Sequence, residues 1–98
     1  MILKTDYGIY DVQAKRARYY NNNLAIELYA DWEPFARLTV NLVNDLDEDC
    51  AYVDTNNCPW AEHFIVTNNL GYPVGTARRS GYCVYPLYRF NLDKLEEM

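Results

Sequence analysis

The chain has 98 residues, a formal charge of −5 and three cysteines. That length suits a single domain, and the acidic balance works against a nucleic-acid footprint. An odd number of cysteines does not suit a secreted disulfide framework and implies reduced thiols in a cytoplasmic protein; no run reaches the roughly 20 apolar residues of a membrane span, and Met1-Ile2-Leu3-Lys4 is too short for the apolar region of a signal peptide.

Taken in chain order, residues 9–20 read as a strand. Tyr10, Val12 and Ala14 share one parity and Ala17 and Tyr19 the other, so a β-bulge is expected near Lys15-Arg16. Asn21-Asn22-Asn23 reads as a turn, because Asn tolerates positive φ. Residues 24–31 alternate, with Leu24, Ile26, Leu28 and Ala30 on one face. Trp32-Glu33-Pro34 reads as a second turn. Residues 35–43 alternate again, with Ala36, Leu38, Val40 and Leu42 inward and Arg37, Thr39 and Asn41 outward. These three runs predict an antiparallel meander with one buried face.

Asn44 to Asp49 is an acidic loop, and Ala51-Tyr52-Val53 a short strand. Residues 58–70 read as the main helix, with Trp60, Ala61, Phe64 and Ile65 at helical spacing, Gly71 as C-cap and Pro73 as stop. Residues 72–81 read as a loop and 82–90 as a strand, with Pro86 favouring an edge or bulge. Asn91 caps a short terminal helix over Leu92–Met98. The expected fold is α+β: an antiparallel β-meander of four or five strands, with one main helix packed on one face, in a single domain spanning 1–98.

The charge is unevenly placed. Residues 38–77 hold Asp45, Asp47, Glu48, Asp49, Asp54 and Glu62 and no Lys or Arg, while the flanking segments are close to balanced. Such a segment repels nucleic acid and attracts a basic protein surface. Its plain alternative is a solvated loop that aids solubility. Asp45, Asp47 and Asp49 alternate as in a calcium loop, but Cys50 and Asn56 stand where an EF-hand needs Gly and Glu. That leaves no built calcium site.

Asp54-Thr55-Asn56-Asn57-Cys58-Pro59-Trp60-Ala61-Glu62 has more capping residues than one helix start needs. A thiol at a helix N-terminus is drawn toward thiolate. His63 lies five residues from Cys58, which does not stack the two on one helical face, so a catalytic pair is disfavoured. Cys50, Cys58, His63 and Cys83 lack a close cysteine pair, so zinc is disfavoured as well. Arg78-Arg79-Ser80-Gly81-Tyr82, with Tyr85, Tyr88 and Arg89, mixes cations and aromatics that stack on bases or hold phosphates. A ligand pocket formed by Asn56, Asn57 and Cys58 with Arg78, Arg79 and Tyr82 is therefore the alternative site. Tyr19-Tyr20 and Trp32 form a candidate aromatic contact patch.

Leu38-Thr39-Val40-Asn41-Leu42, the 54–62 stretch, Ser80-Gly81-Tyr82-Cys83, Tyr85-Pro86 and Tyr88-Arg89-Phe90 together resemble a small uncharacterised bacterial domain family. Its members occur in gut bacteria on plasmids, conjugative elements and prophages. The resemblance implies no activity and no catalytic residues. It implies a setting in which small acidic proteins act as anti-defence inhibitors of anti-CRISPR or anti-restriction type. The expected function is a non-enzymatic binding protein without cofactor or metal. Asp45, Asp47, Glu48, Asp49 and Asp54 would face a basic partner surface. The alternative is a small-molecule or nucleotide-binding domain using the pocket above.

Overall fold

Ten strands, one α-helix and one 3₁₀ turn make up the computed structural model, which describes residues 1–98. The fold is mostly β, with antiparallel strands arranged in more than one sheet. Strand β1 (Ile2–Thr5) pairs only with β2 (Gly8–Asp11). Strands β3 (Gln13–Arg18), β4 (Leu24–Ala30) and β5 (Glu33–Arg37) form the expected meander. A second four-stranded sheet comprises β6 (Thr39–Val40), β7 (Cys50–Val53), β8 (Gly71–Ser80) and β9 (Cys83–Phe90), in the order β6-β7-β9-β8. Short β10 (Glu96–Glu97) runs parallel to β3 and completes the first sheet. No helix is long and apolar enough to cross a membrane.

Leu38 joins the two four-stranded sheets. Its N–H donates to the Ile26 carbonyl and its carbonyl accepts from Asp54 N–H, both at 2.9 Å. The expected 35–43 strand is thus two strands in two sheets. The change of sheet also turns Thr39 inward, against the expected outward position. Its hydroxyl bonds Tyr19 Oη at 2.9 Å and accepts from Ile26 N–H at 3.2 Å, so the buried polar group is satisfied. The core gathers Leu24, Ile26 and Leu28 from the first sheet, Leu38 from the junction, and Val53, Tyr88 and Phe90 from the second sheet. Each such side chain contributes about 1.5–3 kcal/mol by leaving water.

Several expected boundaries are corrected. The 9–20 strand breaks at Val12 rather than bulging at Lys15-Arg16, since β2 belongs to the N-terminal hairpin. The turn after β4 is Asp31-Trp32, both at positive φ (52° and 70°), and Pro34 lies within β5. The helix α1 is Ala61–Thr67, seven residues instead of the expected 58–70. It contributes Ala61, Phe64 and Ile65 to the core. Asn69, not Gly71, takes the left-handed conformation behind it (φ 55°), and Leu70 N–H closes onto the Ile65 carbonyl.

Gly71 instead opens β8, where the loop over 72–81 was expected. Nearly all of β8 is exposed, so burial imposes no alternation on its sequence. Pro86 sits inside β9 at a point where β9 has outrun β7, whose pairing ends at Tyr52↔Leu87. Asn91 does cap the final turn, accepting from Asp93 N–H at 3.2 Å, but that turn is a 3₁₀ segment of three residues. Glu96 and Glu97 then continue as strand rather than helix.

Candidate functional site

The acidic loop is held in place by asparagines. Asn23, 3% exposed, donates from Nδ2 to the Val43 carbonyl (2.6 Å) and to Asn41 Oδ1 (3.1 Å). Its Oδ1 accepts from Leu46 N–H at 3.2 Å. Asn21 Nδ2 reaches Asn41 Oδ1, the Val43 carbonyl and Asn44 Oδ1. The triple-Asn turn after β3 therefore staples residues 41–46 through side chains. Arg18 adds a bond to the Glu48 carbonyl at 2.7 Å.

At the other end of the loop, Arg89 of β9 bridges two carboxylates. Its guanidinium meets Asp49 Oδ1 at 2.5 Å and Asp47 Oδ2 at 3.0 Å. Both carboxylates hold the guanidinium more firmly in its charged form. Asp54 is spent differently. It accepts from Asn57 N–H (3.1 Å) and Asn57 Nδ2 (2.9 Å), closing a turn ahead of α1. Of the five expected acidic residues, Asp45 and Glu48 carry side chains engaged by no ion pair or hydrogen bond, and both are exposed. Asp45 sits at φ 61°. Tyr20, 96% exposed, stands beside Asn21 on the stapling turn.

The second expected site is not brought together in the same way. Cys58 lies in the turn before α1 and is buried, its thiol directed at the Arg37 carbonyl at 3.5 Å. Burial, and then the charge of Asp54, pushes that thiol up to about 11, the reverse of helix-start activation. Trp60, not Asn56 or Asn57, occupies the N-cap position, and no side chain caps there. Arg78, Arg79 and Tyr82 stand on the exposed β8–β9 hairpin and join no ion pair or side-chain hydrogen bond. Tyr88 and Arg89, grouped with them in sequence, go elsewhere. Tyr88 is buried and donates to Glu62 at 2.8 Å, while Arg89 serves the acidic loop.

The four zinc candidates do not assemble. The one cluster of three potential ligands is Asp47, Asp49 and Cys50, and the Arg89 guanidinium already bridges its two carboxylates. His63 bonds Thr67 one helical turn on, at 3.3 Å, away from Cys58. The aromatic patch also divides. Tyr19 is tied to Thr39, and Tyr20 and Trp32 lie at opposite ends of β4, roughly 20 Å apart by strand length.

Sequence reasoning missed the stapling role of Asn21 and Asn23. Three consecutive asparagines signal a turn, and only the fold shows that their amides reach another loop. It also missed a cleft of about 410 Å³ between β1 and α1, lined by Ile2, Leu3 and Lys4 on one side and by Trp60, His63 and Phe64 among others on the opposite side.

No curated protein and no solved structure matches the chain. The model of a family described as a domain of unknown function, DUF4313, matches residues 13–98, and the chain belongs to that family.

Proposed function

We propose that this protein is a non-catalytic binding module that presents its acidic loop to a basic surface on a protein partner in the cytoplasm. The observation that carries the reading is the asparagine staple. A merely solvated loop needs no buried amide network. Here Asn21 and Asn23 fix residues 41–46 through side chains, with Asp45 and Glu48 left exposed and Tyr20 exposed on the stapling turn. Ordering the loop in advance lowers the entropy lost on association. Carboxylates steer toward an arginine-rich groove, and a tyrosine supplies contact area at small entropic cost.

The resemblance to domains carried on mobile elements of gut bacteria makes the reading more specific. A small acidic module in that setting suits an anti-defence inhibitor, which places carboxylates where a nucleic-acid-processing complex holds phosphates. The contact set is then Asp45, Asp47 and Glu48 with Tyr20. Asp49 and Asp54 shape the surface and do not touch the partner.

The test is capture of tagged protein from a bacterial lysate with and without nuclease, beside the Asp45→Lys/Glu48→Lys variant. Wild type is expected to retain a stoichiometric, nuclease-resistant partner with a basic groove, and the variant to lose it. Equal retention by the variant, or capture that depends on nucleic acid, overturns the reading.

A further inference from the structure

We infer that the cleft between β1 and α1 is a binding site for an extended peptide, which adds as a strand to the outer edge of β1. Main-chain geometry points to this class of ligand. Met1 and Val12 exchange both backbone hydrogen bonds, at 2.9 and 2.8 Å. Bonded and non-bonded pairs alternate along an antiparallel ladder. In the observed register, Leu3 and Thr5 therefore turn their N–H and C=O groups toward β2, while Ile2 and Lys4 turn theirs outward. No strand pairs with that outer edge. Donors and acceptors repeating every second residue are complementary to another extended backbone.

The cleft walls supply the rest of the recognition. Opposite the edge stand Trp60 and Phe64, ring centroids 6.1 Å apart and edge-to-face, which form an apolar seat for one side chain. Asn68 Nδ2 donates to the Ile2 carbonyl at 3.4 Å, a long bond that an added strand's N–H displaces, leaving Nδ2 its shorter bond to the Phe64 carbonyl at 3.0 Å. Lys4 lines the cleft and takes part in none of the five ion pairs. Asp6 lines only the adjoining recess beyond it. The ligand is thus an extended segment with one apolar side chain for the Trp60–Phe64 seat and a carboxylate for Lys4. Residues 1–12 lie outside the family match, so the β1 side of the cleft comes from outside the matched residues and the α1 side from within them.

A phage-displayed library of random octapeptides, selected on the full chain, tests the inference. Enriched peptides are expected to share an apolar residue and an acidic group at fixed spacing. Lys4→Glu is expected to weaken them about tenfold or more. Thr67→Trp, which fills the cleft from an exposed helical position, is expected to abolish binding, and N-methylation of alternate peptide amides to do the same. Thermal unfolding checks that both variants remain folded. No enrichment, or equal binding by wild type and both folded variants, overturns the inference.

Discussion

Asn23 and Leu46 meet across 23 positions of sequence through one hydrogen bond, the Leu46 N–H donating to the buried Asn23 amide oxygen at 3.2 Å. That bond and the two from Asn23 Nδ2 make a single side chain the anchor of the acidic loop. Asn23→Ala leaves the Leu46 N–H without a partner and the Val43 carbonyl with only the longer bond from Asn21 Nδ2. The expected loss is about 2–3 kcal/mol of unfolding free energy, read by urea denaturation. Faster amide exchange over residues 43–48 should accompany it.

Trp32 is a bulky residue at φ 70°, following Asp31 at 52°, in a two-residue hairpin turn where glycine is the usual second residue. Trp32→Gly is expected to raise stability by about 0.5–1 kcal/mol, the strain relieved exceeding the entropy added to the unfolded chain. A higher urea midpoint at unchanged slope would show it. Since Trp32 is 90% exposed, no core packing is lost.

Gly71 has the opposite sensitivity. A Cβ there would lie 2.5 Å from the Arg89 carbonyl and 3.2 Å from Phe90 Cα, both backbone atoms with no freedom to move aside. Gly71→Ala is expected to cost about 1–3 kcal/mol, again by urea denaturation. Loosening should spread along the β8–β9 hairpin, because Gly71↔Phe90 is the first pair of that ladder.

The buried thiols and phenols give a signed pH dependence. Cys58 is raised from 9.0 to about 11 by burial and by Asp54. Cys50 is raised chiefly by burial, as is Tyr88, which also donates to Glu62. Each is neutral in the folded state while its unfolded counterpart ionises. Above the unfolded thiol value the unfolded state holds fewer protons, so stability falls as pH rises. For Cys58 the contribution is complete below pH 9 and lost on approaching 11. Denaturant unfolding between pH 7 and 10.5 should show the decline, and Cys58→Ala should flatten it. At pH 8 a thiol reagent is expected to label partly exposed Cys83 first, with Cys50 and Cys58 reacting only on unfolding.

The elements legible in sequence are those with a buried face. Leu24, Ile26 and Leu28 alternate because β4 covers the core, and the 24–31 reading falls within one residue of the strand. Strand β8 was illegible because its side chains are almost all in water and Pro73 and Gly75 signal a loop. The helix was overextended because Asp54, Asn57 and Pro59 carry helix-start chemistry, whereas the fold uses Asp54 and Asn57 to close a turn. The acidic loop was legible as charge. The pairing of its Asp47 and Asp49 with Arg89, 42 positions beyond Asp47, depends on the β7–β9 pairing and on no local pattern.

The two residues of β10 close the meander by lying alongside Lys15 and Arg16, and Arg16 pairs with Glu97 across 81 positions. During synthesis this contact forms only after the meander strands are made. Until residues 96–97 emerge, β3 has an unpaired edge although β4 and β5 already flank its other side, and such an edge is open to pairing with a neighbouring nascent chain. Residues 96–97 thus act as a selvage, sewn on after the meander to keep the sheet from joining the next one.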